Sequence, residues 1–377
     1  MPHPAEAKTV FYAVLNMGLG HAARSLPLLR EFAARGWRVL VGSNGRAQQF
    51  LRRELPQATF ITTPDYRIRY TRSRWLWPRL LVQFPSLLRG IARERRLCKW
   101  VVQQYAPDVI LSDHCYGMYD PQVPSFFLSH QIYFHLPGLL SGLEPWVAQF
   151  NFYFHRRYWG VIIPDLPDTD GGLLSGRLSR LPRRKERYRY VGLLSSISRM
   201  DMAEDVDLFI SVSGPEPQRT VLEQRVLDQV EALPGKKAVA LGRSESTAVV
   251  KQSDDLVVYA HLPRREMAAL MNRSRMIVSR PGYSTLMELA ELGKPALFIP
   301  TPGQTEQQYL ARRAQEKGWF HFVNQSALNL RRDLEEAKKY PGLPRLPGTP
   351  QTVEKIFGAL EQATAEKRIP WTNATNG

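Results

Sequence analysis

The sequence predicts an α/β protein built from two doubly wound domains facing each other across a cleft. Three observations carry this. Short apolar runs alternate with helix-like stretches along most of the 377 residues, which is the rhythm of βαβ units and a parallel sheet. That rhythm stops and restarts near residues 193–204. The chain is also too long for one ordinary core and about right for two.

Each element has a local reason. "TVFYAVLN" (Thr9 to Asn16) is an apolar strand closed by Gly18 and Gly20. "ARSLPLLREFAARG" follows, with Leu28, Leu29, Phe32 and Ala33 at helical spacing and Gly36 as its stop. "WRVLVGS", "TFITTP", "VILSD", "VPSFFLSHQ" and "YWGVIIPD" read as further strands, with the helix "AQQFLRREL" among them. After "RYRYVGLLS" the pattern begins again. "DLFISVSG", "KKAVALG", "LVVYAH", "MIVSRPG" and "PALFIPTP" are strands. "QRTVLEQRVLDQVEAL", "RREMAALMNR", "STLMELAELG" and "TEQQYLARRAQEKG" are helices between them. The expected organisation is residues 1–192, a linker over 193–204, a second domain over 205–350, and a closing helix with a flexible tail over 351–377. Each sheet should bind its ligand at the carboxyl ends of its strands.

Composition narrows the class. Hydrophobic content of 44% and charged content of 23% are those of a globular chain. Two cysteines, Cys98 and Cys115, are too few for a disulfide framework, and no C-x-x-C spacing occurs, so a reducing cytosol is expected. The N-terminus lacks the charged and apolar regions of a signal peptide. No run of eighteen apolar residues would span a bilayer. The formal net charge of +16 asks for an anionic partner: nucleic acid, a membrane surface or a phosphorylated substrate.

The sharpest pattern is "MIVSRPGYSTLMELAELGKPALFIPTPGQTEQQYLARR", Met276 to Arg313. A strand ends at Ser279, Arg280-Pro281-Gly282 turn, and a helix opens at Ser284 or Thr285. Backbone N–H groups at such a helix start form a ready anion site. Glu288 lies one turn in, near enough to accept hydrogen bonds from a sugar diol. A second strand runs to Pro300, Gly303 and Gln304 start a loop, and a helix opens at "TEQQ". Two strand-to-helix transitions thus point at one spot.

This stretch resembles the nucleotide-sugar signature of the MurG-like glycosyltransferases, family 28 with the GT-B fold of two Rossmann-like domains. There an R-x-G-x-x-T-x-x-E run lies against diphosphate and ribose, and a later Q-Q pair opens a helix beside the donor sugar. The resemblance implies that Glu288 holds the ribose, that Arg280, Gly282, Ser284 and Thr285 lie near the diphosphate, and that Gln304, Gln307 and Gln308 lie near the sugar. "VYAHLPRREMAALMNRS" resembles the preceding segment, which puts His261 and Leu262 at the base edge through backbone groups. One departure stands out. The family's G-G-S loop reads "SVSGPEPQRT" here: Gly214 remains, while Pro215 and Pro217 remove N–H donors. Arg219 either replaces them with a guanidinium fork on phosphate or is a surface arginine of the helix.

The first glycine turn, Gly18-Leu19-Gly20-His21, keeps only G-x-G-H of the family's G-G-T-G-G-H. It lacks a third glycine at Ala23 and an acid at the end of the second strand, which argues against a dinucleotide domain. Transfer to a hydroxyl releases a proton, and a histidine at a helix N-terminus, where its cation is disfavoured, can take it. His21 is therefore either the base or a contact to acceptor or phosphate. Asp113 either orients His21 or caps a turn. His130, at the end of the fifth strand, either touches acceptor or ends a strand. Gly18 and Gly20 would shape the acceptor or phosphate loop. No metal and no cofactor are expected, because helix dipoles and basic side chains can offset the leaving diphosphate in this fold.

Residues 67–100 interleave arginines with Trp75, Trp77, Phe84, Leu87, Leu88 and Ile91, which suits the interface of an anionic membrane. No signature of a nucleic-acid-binding module is visible, so no nucleic-acid partner is expected. The expected function is an inverting, metal-independent glycosyltransferase. It would move a sugar from a UDP-linked donor to a hydroxyl acceptor, lipid-linked or of the cell envelope, in the cytoplasm at the inner face of the plasma membrane. A nucleotide-sugar hydrolase or epimerase, or a non-catalytic module binding lipid or nucleic acid, are the alternatives.

Overall fold

The computed structural model describes residues 7–66, 76–136, 138–243 and 246–366. The chain divides between Ser196 and Ile197 and again between Pro347 and Gly348, giving two compact units.

The first unit opens with β1 (Thr9–Val14), buried at all six positions, as an interior strand covered on both faces must be. α1 (Gly20–Ala34), β2 (Arg38–Ser43), α2 (Gly45–Glu54) and β3 (Thr59–Thr62) follow. Then come α3 (Leu76–Tyr105), β4 (Val109–Asp113), β5 (Ser125–Leu128), α4 (Glu144–His155) and β6 (Gly160–Ile163). A two-residue hairpin of β7 (Pro167–Asp168) and β8 (Gly171–Gly172) precedes β9 (Tyr188–Tyr190). The main sheet is all parallel in the order β3-β2-β1-β4-β5-β6-β9. Its strand order reverses direction between β1 and β4, and a crevice opens beyond the carboxyl ends at such a switch point.

The second unit holds β10 (Val206–Ser211), α5 (Gln218–Val230), β11 (Lys237–Ala240), β12 (Val249–Gln252), β13 (Leu256–Tyr259) and α6 (Arg264–Arg273). β14 (Ser274–Ser279), α7 (Tyr283–Leu292), β15 (Ala296–Phe298), α8 (Thr305–Glu316), β16 (His321–Phe322) and α9 (Leu330–Ala337) complete it. The order is β12-β13-β11-β10-β14-β15-β16, parallel except for β12. The switch point lies between β10 and β14. Val226 and Val230 of α5 and Leu330 and Ala337 of α9 join Ile210, Val239, Val278 and Leu297 of the sheet in one buried cluster.

The chain then returns to the first unit. α10 (Thr349–Glu366) places Phe357 with its ring centre 4.5 Å from that of Phe32 on α1, and the Arg35 guanidinium sits 4.1 Å from the same ring. Of the expected membrane segment, residues 67–75 lie outside the described residues, as does the tail over 367–377; the rest is the long helix α3. Among the described residues no helix is long and apolar enough to cross a membrane.

Candidate active site

At the first switch point, β1 ends at Val14 and its loop turns through Gly18, whose φ of +81° lies in the left-handed region that favours glycine. α1 begins at Gly20, which sets His21 and Arg24 one turn apart on one face. β4, paired with β1, ends at Asp113. His21 Nδ1 lies 2.7 Å from Asp113 Oδ1. Donation from Nδ1 fixes the tautomer and leaves Nε2 as the basic nitrogen.

Arg24 shares that carboxylate. Its Nε lies 2.7 Å from Asp113 Oδ2, its Nη2 donates to Oδ1, and Ser25 Oγ adds a bond at 3.1 Å. Arg24 Nη2 is also 2.9 Å from His21 Nδ1; both carry protons, and the carboxylate oxygen between them receives both. Arg24 Nη1 lies 2.8 Å from His130 Nδ1, which accepts and so keeps its proton on Nε2. Asp113 is fully buried, and burial alone would raise its pKa. Arg24 and His21 outweigh that and hold it well below the usual carboxylate range. His114, next along, takes a positive φ of 59°. Its ring stands edge-on to His21 at 5.1 Å and bonds Ser129 Oγ at 2.7 Å. Burial, reinforced by the charges of His21 and Arg24, holds its imidazole neutral. Among the described residues these groups do not converge as metal ligands.

At the second switch point the loops after β10 and β14 meet. Gly214, with φ of +121°, carries the chain past Thr301 and Arg280. α7 opens at Tyr283, one residue earlier than expected, with Gly282 as its N-cap and no side-chain cap. Ser284 and Thr285 sit in its first turn, the part of a helix whose N–H groups lack intrahelical acceptors. Glu288, buried one turn further on, is ion-paired with Arg264 of α6. Leu262 is buried, and His261 half-buried, in the loop between β13 and α6. Gln304 is the N-cap of α8. Gln307 Oε1 accepts the Thr301 N–H at 2.8 Å, which ties α8 to the end of β15, and the Gln308 N–H bonds Gln304 O at 3.1 Å.

Two arginines of this site are engaged by the protein itself. Arg280 is buried, and its guanidinium bonds Ser213 O at 3.2 Å, Ile299 O at 2.8 Å, Gln218 O at 3.2 Å and Gln325 Oε1 at 2.6 Å. Four of its five N–H donors are thus taken by the fold. It braces the loops after β10, β14 and β15, and burial lowers its pKa to about 10. Arg219 is paired with Glu216 and Glu223, the latter at 2.6 Å, so its charge is met beside its own helix. Two groups the sequence reading missed lie at the same strand ends: the buried Ser279 Oγ and Thr301 Oγ1 have no hydrogen-bond partner among the described residues.

A model of the glycosyltransferase family 28 C-terminal domain matches residues 218–339, which span α5 to α9 and the loop after β14. The chain is MurG-like, and its second unit matches the C-terminal domain of family 28 glycosyltransferases. It is similar to an uncharacterized glycosyltransferase of Methanosarcina mazei, 24% identical over 81% of this chain and 84% of the relative. It also resembles a protein of Haemophilus ducreyi named UDP-N-acetylglucosamine--N-acetylmuramyl-(pentapeptide) pyrophosphoryl-undecaprenol N-acetylglucosamine transferase, 21% identical over 77% of this chain and 78% of that one. Among solved structures, the glycosyltransferase of kitacinnamycin aligns with a TM-score of 0.61 and 15% identity over 97% of each chain. The Streptomyces glycosyltransferase SsfS6, complexed with thymidine diphosphate, aligns at 0.56 and 17% identity over 93% of this chain and 100% of that one. The fold is GT-B.

Proposed function

We propose that this glycosyltransferase moves a sugar from a UDP-linked donor to a hydroxyl acceptor with inversion and without a metal, and that His21 is its base. The observation that carries the reading is the His21–Asp113 pair, 2.7 Å apart at a switch point. The acceptor hydroxyl gives its proton to His21 Nε2 as its oxygen attacks the anomeric carbon. The bond from that carbon to the diphosphate breaks, and the nucleoside diphosphate leaves. Asp113 orients the imidazole and stabilises its cation. The uncapped start of α7 and the hydroxyls of Ser279 and Thr301 receive the diphosphate, and Glu288 accepts from the ribose. UDP rests on the printed name of the Haemophilus ducreyi relative.

The acceptor is lipid-linked in this reading, and the enzyme works at an anionic membrane facing the cytoplasm. Support comes from apolar side chains left in solvent on two helices of the first unit. Phe84 and Leu88 stand on α3, and Trp146, 76% exposed, and Tyr153 on α4. Phe84 touches Phe150 of α4, so the two helices share this surface.

Calorimetric titration with UDP, GDP, ADP, CDP and dTDP tests the donor site, with Glu288→Ala as control. UDP alone should bind, and Glu288→Ala should weaken it about tenfold or more. No binding by any diphosphate overturns the reading.

A further inference from the structure

Arg264 is the first residue of α6, and Arg265 follows it. Both stand where a helix is poorly suited to a cation, because its N-terminus carries the positive end of the dipole. What offsets this at Arg264 comes from another helix. Its Nη2 donates to Oε1 of Glu288 on α7. Glu288 is buried, and a buried carboxylate without a partner is costly. The loop after β13 leads into α6 and the loop after β14 into α7, so the pair lies at the carboxyl edge of the second unit's sheet. It is not sealed: 16% of the Arg264 side chain and 10% of the Glu288 side chain meet solvent.

Position gives the pair a second effect. Glu288 stands five residues after Tyr283, where α7 opens. At about 1.5 Å per residue that is roughly 7.5 Å along the axis, within the screening length of about 8 Å at physiological ionic strength. A diphosphate at the helix start therefore feels the Glu288 charge, and partial burial screens that charge less than water would. An unmatched carboxylate here would repel the diphosphate of the very nucleotide whose ribose it accepts. The Arg264 guanidinium cancels that repulsion. It does so without using up the carboxylate, which accepts about four hydrogen bonds through its two oxygens.

We propose that Arg264 is a positioning residue of the donor site: it holds the ribose-reading carboxylate in place and is its counter-ion toward the diphosphate. The proposal rests on the donor reading above, in which Glu288 meets the ribose. The margin by which the site prefers a nucleoside diphosphate to the bare nucleoside is then set by the charge balance of this pair. Removing either partner shifts that margin, in opposite directions. Removing both restores it.

The test uses the full chain, calorimetry with UDP and saturation-transfer NMR with uridine, and it reads one ratio, the affinity for UDP over that for uridine. Arg264→Met leaves the Glu288 charge unmatched, and the ratio should fall about tenfold. Glu288→Gln leaves the Arg264 charge unmatched, and the ratio should rise although both ligands bind more weakly. The double variant removes both charges, and its ratio should return to within about threefold of the parent's. Arg264→Lys keeps the charge and should keep the ratio. A role in packing alone would weaken both ligands alike and give none of this order. Thermal melts accompany each variant; if Arg264→Met does not fold, the rise in Glu288→Gln and the return in the double variant carry the test. A ratio that stays flat across the series, or one that falls as far in Arg264→Lys as in Arg264→Met, overturns the proposal. UDP binding by the parent with a flat ratio removes the counter-ion role and leaves the transferase reading standing; no UDP binding by the parent removes both.

Discussion

Arg24 Nε lies 2.7 Å from Asp113 Oδ2 while His21 Nδ1 lies 2.7 Å from Asp113 Oδ1. The carboxylate that holds His21 is thus also the counter-ion of a buried guanidinium. The two partners separate cleanly by mutation. Arg24→Ala strands a buried anion and should cost about 3–5 kcal/mol in urea unfolding. His21→Ala leaves Asp113 its stronger partner, so stability should stay within about 1 kcal/mol while transfer falls by about 10²-fold or more. A His21→Ala variant that still transfers sugar at the parental rate refutes its assignment as the base.

Two buried carboxyls should give the stability curve opposite slopes. Asp113 is held well below its ordinary value of 3.8. Its contribution is present above that value and is lost as pH falls below it. Glu94 is pushed up, mainly by burial, from 4.5 to about 7. Its contribution is full below 4.5 and is lost as pH rises through about 7. Urea midpoints across this range should rise and then fall, and Glu94→Gln should flatten the fall alone.

His114 holds a left-handed backbone that asparagine adopts more readily than histidine. The buried ring also bonds Ser129 Oγ, so His114→Asn should still lose about 1–3 kcal/mol in urea unfolding. It should also lower kcat several-fold, because the ring that stands edge-on to His21 is gone. An unchanged kcat beside that loss would mean that the ring serves only packing.

Arg280 binds three backbone carbonyls and the Gln325 amide, so Arg280→Met should leave several buried acceptors unpaired and cost about 3 kcal/mol or more. UDP affinity should fall with it. Arg280→Lys should rescue little, since one ammonium group cannot span the same carbonyls. Thr301→Val removes a hydroxyl with no hydrogen-bond partner among the described residues and should lower UDP affinity at unchanged stability.

Much of this was legible in the chain, for physical reasons. Buried strands such as Val10 to Val14 and Ile277 to Ser279 read as continuous apolar runs because both their faces are covered. Gly18 and Gly282 marked the turns that start α1 and α7. What escaped depended on distance in sequence. Arg24 looks like an ordinary helical arginine until β4, 89 residues later, brings Asp113 beside it; the readable hint was a charge three residues from His21 on an otherwise apolar face. The carbonyls that surround Arg280 of the "RPG" turn are not readable from local sequence, because they come from three separate loops. α4 was hidden by its many aromatic residues, which blur helical periodicity. The edge strand β12 was hidden because all four of its residues are exposed.

The return of α10 to the first unit has a consequence for how the chain is made. Phe357 closes over Phe32, so the first unit is assembled from segments more than three hundred residues apart, with the second unit inserted between them. On the ribosome the order of completion is therefore inverted. The second unit, continuous in sequence, can finish while the earlier-made half still waits for its last helix, and until that helix emerges the apolar flank of α1 is open to chaperones.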